Sequence, residues 1–346
     1  MARYLVKMTP LEPYSFGTDQ GFSYQDEQKL GKISYFAKSG TVPAQTTVLG
    51  LLRYLILSNT GLLKPDFRDY SDEDIRNNAD AVGKKSFEFG SAEEQDFGKI
   101  KNISPLFLMR GNEIFIKNPF NNTVMRGYKP MKLGSKVFQT SEGDIFLPDK
   151  DEYNPKNGHG YGYIGVDSKE IVVDLFTSVV LTGNKKNDRN SDGSESFFKR
   201  EYISLKEGFS FAVYAEAEDL PKSAIGYMGS RQSAFIIETE ETENVLEDQV
   251  AKAFENGDPV CYYALSDLYV DQKLAFDSFC IAEEKYQRNL QTVYDPLKPS
   301  RKYKKSDIRI NLIESGSVFY NDVTEMFCAK NEKKIGYNSI VRLGGK

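Results

Sequence analysis

The N-terminal segment alternates between two sets of side chains. One set contains Tyr4, Val6 and Met8, and the residues between them form the other. A period of two with aromatic and β-branched members is typical of a β-strand. We expect this strand to end near Pro10 and Pro13, because proline lacks the N–H that a strand ladder needs.

A second segment, residues 43–57, has the period of an α-helix. Its apolar residues recur at the spacing i, i+3, i+4 and i+7 and so form one core-facing stripe: Val48, Leu51, Leu52 and Leu55. Thr46 or Thr47 is predicted to cap the N-terminus, because a threonine hydroxyl can accept a hydrogen bond from a free N–H of the first turn. Asn59 and Gly61 predict where the helix ends.

Strand and turn patterns dominate the rest of the chain. Residues 105–118 predict a hairpin that turns at Gly111 and Asn112, which tolerate the positive φ of tight turns. One short helix is expected within residues 66–102 and another over residues 245–255. The other strand candidates are residues 144–148, 198–205, 209–214, 234–237, 260–265 and 317–320.

This order of elements predicts an α+β fold rather than a doubly wound sheet. A chain of 346 residues is expected to form two domains, with a boundary within residues 150–200. Residues 149–160 and 183–196 are predicted loops. The second of these contains no apolar residue and should be exposed.

The net charge is −5, which argues against binding nucleic acid through overall charge. The charge is uneven, however. Residues 298–309 contain six basic side chains and one acid, whereas residues 238–248 contain six acids and no base. Either these segments contact RNA and protein on different faces, or both are simply solvated.

Several classes of protein are disfavoured. No apolar run approaches the roughly 20 residues that span a bilayer, and no apolar signal region opens the chain, so we expect a cytoplasmic protein with no membrane contact. Cys261, Cys280 and Cys328 form no CxxC pair and are expected to be buried, reduced thiols. No nucleotide-binding, hydrolase or metal-binding motif occurs, so no cofactor and no metal site are predicted.

His159, between two glycines, is the only histidine. It is either an exposed loop residue or a general acid or base for RNA cleavage.

Two segments could bind an anion. At the start of the predicted helix, free N–H groups attract phosphate, Gly50 permits close approach and Arg53 can pair with a phosphate. The alternative is that Gly50 packs against a strand while Arg53 reaches along the surface to solvent. The second segment, residues 226–232, is predicted to be a glycine-rich turn that cradles an RNA backbone, with Tyr227 stacking on a base. An ordinary hairpin turn is the alternative there.

These and other segments, taken in order, resemble the third RAMP subunit of the Cmr module of type III-B CRISPR systems. The matching segments are residues 4–13, the pattern P-x-Q-T-T-x-x-G-x-x-R over residues 43–53, and residues 208–211, 226–231, 311–319 and 336–338. The glycine-rich turn departs from the family pattern at Ser230, where glycine is usual, and lacks the usual glutamate.

The resemblance implies two ferredoxin-like (RRM-like) RAMP domains with long inserted loops, over residues 1–165 and 166–346. It implies a non-catalytic subunit that binds the 5′ handle of the crRNA and docks the large palm-domain Cmr subunit and the adjacent backbone RAMP subunit. The RNA-contacting residues that it implies by position are Thr46, Thr47, Gly50, Arg53, Gly226, Gly229, Arg231, Tyr337 and Asn338.

Two other functions remain open. One is a metal-independent crRNA-processing endoribonuclease, which is the activity of some RAMP relatives. His159 would be its general acid or base. The other is a protein-docking module with little RNA contact, which the net charge and the acidic residues 238–248 favour.

Overall fold

The computed structural model of the chain describes residues 2–25, 33–66, 69–140, 143–148, 160–185, 196–230, 232–256, 258–270, 279–288, 290–293, 302–305 and 308–345. Its helices are α1 (Gln45–Asn59), α2 (Asp72–Val82), α3 (Leu246–Ala253) and α4 (Lys330–Lys334), with a short 3-10 turn at Thr324–Phe327.

Strands make up most of the regular structure. The first twelve are β1 (Ala2–Pro10), β2 (Phe16–Gln25), β3 (Ile33–Gly40), β4 (Ile100–Ile103), β5 (Phe107–Arg110), β6 (Glu113–Lys117), β7 (Leu133–Thr140), β8 (Gly143–Pro148), β9 (Tyr163–Gly165), β10 (Ile171–Val172), β11 (Phe176–Lys185) and β12 (Ser196–Leu205). The others are β13 (Phe209–Ala217), β14 (Ser223–Met228), β15 (Ser233–Glu241), β16 (Cys261–Ala264), β17 (Leu268–Tyr269), β18 (Cys280–Ile281), β19 (Glu284–Gln287), β20 (Leu290–Val293), β21 (Lys302–Lys305), β22 (Ile310–Ile313), β23 (Val318–Phe319) and β24 (Ile340–Leu343).

A nine-stranded antiparallel sheet organises the chain. Its order is β10-β9-β6-β5-β13-β1-β15-β14, and β4 pairs with β13 beyond the end of β5. β1 lies inside this sheet, where Val6 is paired with Val213 on one side and with Thr239 on the other. The predicted boundary between residues 165 and 166 therefore runs through one sheet rather than between two.

The two faces of this sheet bury two different cores. Strand side chains alternate between faces, and along β13 Phe211 and Val213 point into the core that contains α1. Ala212 and Tyr214, between and beyond them, point into a second core that contains α3 and residues of β16 and β24. A central strand buried on both faces needs apolar residues at nearly every position, and β13 has them.

Smaller sheets surround this layer. One has the order β11-β12-β3-β2, and β12 and β3 are parallel in it. Two others have the orders β18-β23-β16-β24 and β17-β22-β19, and two hairpins are formed by β7 with β8 and by β20 with β21. Few helices on mostly antiparallel sheets make an α+β fold, as expected.

Helix α1 confirms the predicted stripe but not its predicted cap. Val48, Leu51, Leu52 and Leu55 are all buried. The N-cap residue is Ala44, which makes no side-chain capping hydrogen bond. Thr46 and Thr47 already lie within the first turn, so the prediction that one of them caps the helix is wrong.

Most of the predicted elements are confirmed. The hairpin of β5 and β6 turns at Gly111, which has a φ of 60°. The strand predicted at the N-terminus, the other strand candidates and the helices within 66–102 and 245–255 are present. Three predictions differ from the structure: residues 183–185 continue β11 instead of opening a loop, Cys280 is only half-buried, and Cys328 is exposed. Most of residues 149–160 lie outside the described residues.

Within the described residues, no helix has both the length and the apolar character needed to cross a membrane.

Gly229 and Gly111 offer a matched test of close backbone approach. Both have positive φ, which is strained for alanine. A Cβ on Gly229 would lie 2.6 Å from the Ser15 carbonyl oxygen, whereas a Cβ on Gly111 would meet nothing within 4 Å. We expect Gly229→Ala to lower the free energy of unfolding by at least about 1 kcal/mol more than Gly111→Ala does. Urea unfolding of both variants measures the difference, and equal losses would contradict this packing.

Candidate nucleic-acid interface

Helix α1 and strand β14 lie side by side and run in opposite directions. At one end, Asn59 Nδ2 donates to the Asp219 carbonyl oxygen at 2.9 Å, just before β14 begins. Further along, Leu51 of the helix packs on Gly226 of the strand. The start of α1 is therefore directed toward the turn at Gly229, so the fold brings the two predicted anion-binding segments to the same side of the molecule.

Gly226 belongs to β14 and not to the turn, contrary to prediction. It is buried, and a Cβ there would lie 2.6 Å from Leu51 Cδ1 and 3.0 Å from Ile237 Cγ1. The missing side chain lets α1 pack closely on the sheet. Because packing occupies this space, Gly226 supports the site from beneath and offers no surface to RNA.

Gly229 forms the turn, as predicted, and the turn is fixed on one side. Its φ of 84° and its close approach to Ser15 require glycine. The Ser230 N–H donates to the Ser15 carbonyl oxygen at 2.9 Å, and Arg200 Nη1 donates to Ser230 Oγ at 3.2 Å. The predicted contact residue Arg231 lies outside the described residues.

Gly50 leaves a gap on the outer face of α1. The residue is exposed, and a Cβ there would meet nothing within 4 Å. Of the two alternatives for Gly50, packing against a strand is therefore wrong. Thr47 is half-buried beside it. Thr46, also half-buried, turns its hydroxyl toward Gln287, whose Nε2 lies 3.4 Å away.

Arg53, one turn after Gly50, is incompletely hydrogen-bonded among the described residues. Its Nη2 donates to the Lys85 carbonyl oxygen at 3.1 Å, and its guanidinium carbon lies 5.6 Å from the centre of the Phe97 ring. Its Nε is buried and has no hydrogen-bond partner among the described residues. Burial lowers the pKa of Arg53, and only the nearby Asp96 opposes this effect. An oxyanion would supply both the acceptors and the counter-charge that this side chain lacks.

An aromatic pair, half-buried Tyr54 and exposed Tyr227, lies on the other side of Gly50. The rings of Tyr54 and Tyr227 meet edge to face, with their centres 6.4 Å apart and an angle of 76° between their planes. Tyr227 is 51% exposed, and Ile225 on the same face of β14 is 46% exposed. A tyrosine held by a neighbouring ring and open to solvent is a suitable platform for a base.

Tyr337 and Asn338 lie in the interior, and each is 1% exposed. Tyr337 stacks on Phe87 at 6.2 Å, its hydroxyl donates to Gln287 Oε1 at 3.2 Å, and burial raises its pKa to about 12. Asn338 Oδ1 accepts a hydrogen bond from the Tyr269 N–H at 2.6 Å. A base could not reach the face of Tyr337 in this arrangement, so the structure does not support these two residues as RNA contacts on the surface around α1.

Sequence reasoning missed two members of this surface. Tyr54 lies four residues after Gly50, and the helical period alone could have placed the two on one face. Arg200 reaches the turn only because β12 passes beside it, and no local pattern indicates that contact.

No cluster of metal-ligating side chains is present in the part of the chain that the structure describes. There, no group of three or more His, Cys, Asp or Glu side chains is arranged to hold a metal ion. His159 lies outside the described residues.

No family model and no curated protein matches the chain. Solved structures do show similarity. A chain of the type III-B Cmr-beta complex, bound to cognate target RNA and AMPPnP, is 12% identical over 98% of this chain and 95% of its own, with a TM-score of 0.47. A chain of the Csm1-Csm4 cassette in complex with cA4 is 12% identical over 93% and 88%, with a TM-score of 0.33. These TM-scores are too low for the likeness to decide the function.

The stabilities of Gly50→Ala and Gly226→Ala test which of the two glycines is open and which is packed. Because nothing occupies the space of the Cβ, alanine should raise the free energy of unfolding by about 0.5–1 kcal/mol through its higher helix propensity. Gly226→Ala should instead lower it by about 1–3 kcal/mol, because the Cβ collides with Leu51 and Ile237. Thermal unfolding measures both changes. A melting temperature that falls in Gly50→Ala would show that Gly50 is packed after all.

Proposed function

We propose that this chain is a non-catalytic, RNA-holding subunit of a type III CRISPR effector complex. The observation that carries the proposal is the open backbone at Gly50, which lies between the poorly paired Arg53 and the exposed Tyr227. Cation, exposed backbone and aromatic ring are the three elements that proteins combine to hold single-stranded RNA.

Each element has its own role. A phosphate lies over Gly50, where no side chain keeps it away from the helix, and accepts hydrogen bonds from Arg53. The adjacent base stacks on Tyr227, an interaction worth about 1–3 kcal/mol per base. The turn at Gly229 and Ser230, fixed by Ser15 and Arg200, limits the path of the strand at the start of the helix.

The finer assignment rests on the ordered motifs. We propose that the chain corresponds to the third RAMP subunit of a Cmr module. In this assignment, it holds the 5′ handle of the crRNA and docks the large palm-domain subunit and the adjacent backbone RAMP subunit. The RNA-facing residues then include Thr46, Thr47, Gly50 and Arg53 at the start of α1.

The strand order supports one of the two proposed ferredoxin-like domains. β15, β1, β13 and β5 are neighbours in that order, all antiparallel, and α1 lies in the connection between β1 and β5. A βαββαβ chain produces this order when its fourth strand pairs with its first. In chain order, strand β14 stands between the third and fourth strands of this pattern, where the second helix would be. The second domain is proposed on the resemblance alone.

Two substitutions test the interface. Arg53→Ala should weaken binding of a labelled 5′-handle RNA. It should also reduce the slope of log affinity against log salt by the amount that one phosphate contact contributes. Tyr227→Ala should weaken binding about 5- to 150-fold by removing a stacking platform. Fluorescence anisotropy over a salt series measures both effects.

Tyr161→Ala is the matched control, because Tyr161 is 67% exposed and precedes β9, near the opposite edge of the sheet from β14. It should bind RNA as the wild-type protein does. If all three variants bind RNA equally well and remain folded, the interface around Gly50 is wrong.

The absence of catalysis is a separate prediction. Repeat RNA incubated with the chain in EDTA should remain intact, and His159→Ala should leave its pattern on a denaturing gel unchanged. Cleavage by the wild-type chain that His159→Ala abolishes would establish a metal-independent endoribonuclease.

A further inference from the structure

A basic groove lies behind the first turn of α1. It has a volume of about 650 Å³. It lies between the start of β1, residues 101–105 at the end of β4 and just after it, and helix α4. Five cationic side chains line it, namely Arg3, Lys101, Lys330, Lys333 and Lys334. In a chain with a net charge of −5, this is a local reversal of sign.

Only two acids, Glu216 and Glu247, line the same groove, and each is already engaged. Glu216 Oε1 pairs with Arg3 Nη2 at 2.5 Å, and Glu247 Oε1 accepts a hydrogen bond from Ser339 Oγ at 2.8 Å. The positive charge on the α4 side is therefore not neutralised by the groove itself.

The α4 wall contributes the available cations. Lys330 and Lys333 are exposed and form no ion pair with any residue that the structure describes. Lys334, on the same turn, pairs with Glu94 outside the groove. Residues spaced i, i+3 and i+4 lie on one side of a helical turn, so the three lysines present their charge together.

Asn338 supplies a second, independent indication of a ligand. Its side chain is 1% exposed and lines the groove. Because Oδ1 accepts a hydrogen bond from the Tyr269 N–H, the orientation of the amide is settled and Nδ2 is the free end. That Nδ2 is buried and has no hydrogen-bond partner within the described ranges. Buried donors are nearly always paired, so this one calls for an acceptor oxygen.

The groove adjoins the interface on α1. Gln45, the first residue of that helix, donates from Nε2 to the carbonyl oxygens of Ser104 at 2.9 Å and Gly336 at 3.0 Å. Both of these residues line the groove. An RNA strand that leaves the start of α1 therefore reaches the groove within a few nucleotides.

We propose that this groove binds backbone phosphates of the single-stranded RNA held at α1, and so extends the RNA path along the lysines of α4. The inference rests on the proposed function and adds a second contact region to it. The lining favours nucleic acid over protein. Lysine is depleted at protein interfaces but binds phosphate as a point charge. Among the aliphatic side chains of the lining, Ile103 and Leu246 are buried and Val245 and Ile340 are half-buried, so none of these four is fully exposed to a protein.

The test is a double variant, Lys330→Gln with Lys333→Gln, in the full chain. Its control, Lys222→Gln with Lys252→Gln, removes the same charge from two exposed lysines outside the groove. The probe is a labelled single-stranded RNA that comprises the 5′ handle and the adjoining guide nucleotides, measured by fluorescence anisotropy over a salt series.

We expect the groove variant to bind about 10-fold more weakly at low salt. Its log–log salt slope should fall by about 1.4, since each phosphate contact on a single strand contributes about 0.7. The control should keep the wild-type slope. Photocrosslinking of 4-thiouridine RNA to the wild-type chain should modify the peptide that contains Lys330 and Lys333, and the groove variant should lose that crosslink.

The outcomes distinguish this inference from the proposed function. A wild-type chain that binds no RNA overturns both. If Arg53→Ala weakens binding while the groove variant keeps the wild-type slope and crosslinks, the interface stands and the groove is not an RNA site. A groove variant that binds RNA normally but no longer co-purifies with a protein partner would overturn the inference in favour of protein docking.

Discussion

The burial of β1 between β13 and β15 is the constraint on which the rest of the structure depends. Because β1 is paired on both edges and alternates in side-chain direction, Val6 and Met8 face the core under α1 while Leu5 faces the core under α3. On both edges, β1 pairs with segments that lie more than 200 residues away along the chain. A slip of one residue would turn Lys7 toward the core under α1 and Val6 away from it, so the difference between the two faces holds the register.

The candidate interface follows from how α1 packs on this sheet. Two glycines have opposite roles there. Gly226 lies beneath the helix and lets Leu51 approach, whereas Gly50 lies on the outer face and leaves the backbone open. The inner face of α1 is closely packed and its outer face is exposed. Arg53 and Tyr227 therefore lie at the margins of one surface. The groove beside Gln45 continues this surface toward α4, where lysines concentrate positive charge that the chain as a whole lacks.

The buried aromatic cluster around Tyr337 explains why that part of the site prediction is not supported. Phe87, Phe89 and Tyr337 pack against one another behind the first turn of α1. In a sequence, a tyrosine next to glycine and asparagine looks the same whether it stacks on a base or on a phenylalanine. Asn338 shows a related ambiguity, because its amide oxygen accepts from Tyr269 while its amide nitrogen is buried without a partner among the described residues.

Local periodicity was enough to determine α1, β1, the hairpin at Gly111 and the α+β class, because each depends on the spacing of apolar residues or on one turn. The open face at Gly50 and the unpaired Nε of Arg53 could not be read in this way, since both depend on what other segments leave uncovered. Tertiary structure alone assigned Gly226 to a packed strand and brought Arg3, Lys101 and Lys330 to one groove. The physical reason is that period and propensity act over a few residues, whereas exposure and charge clustering are set by strand pairing between distant parts of the chain.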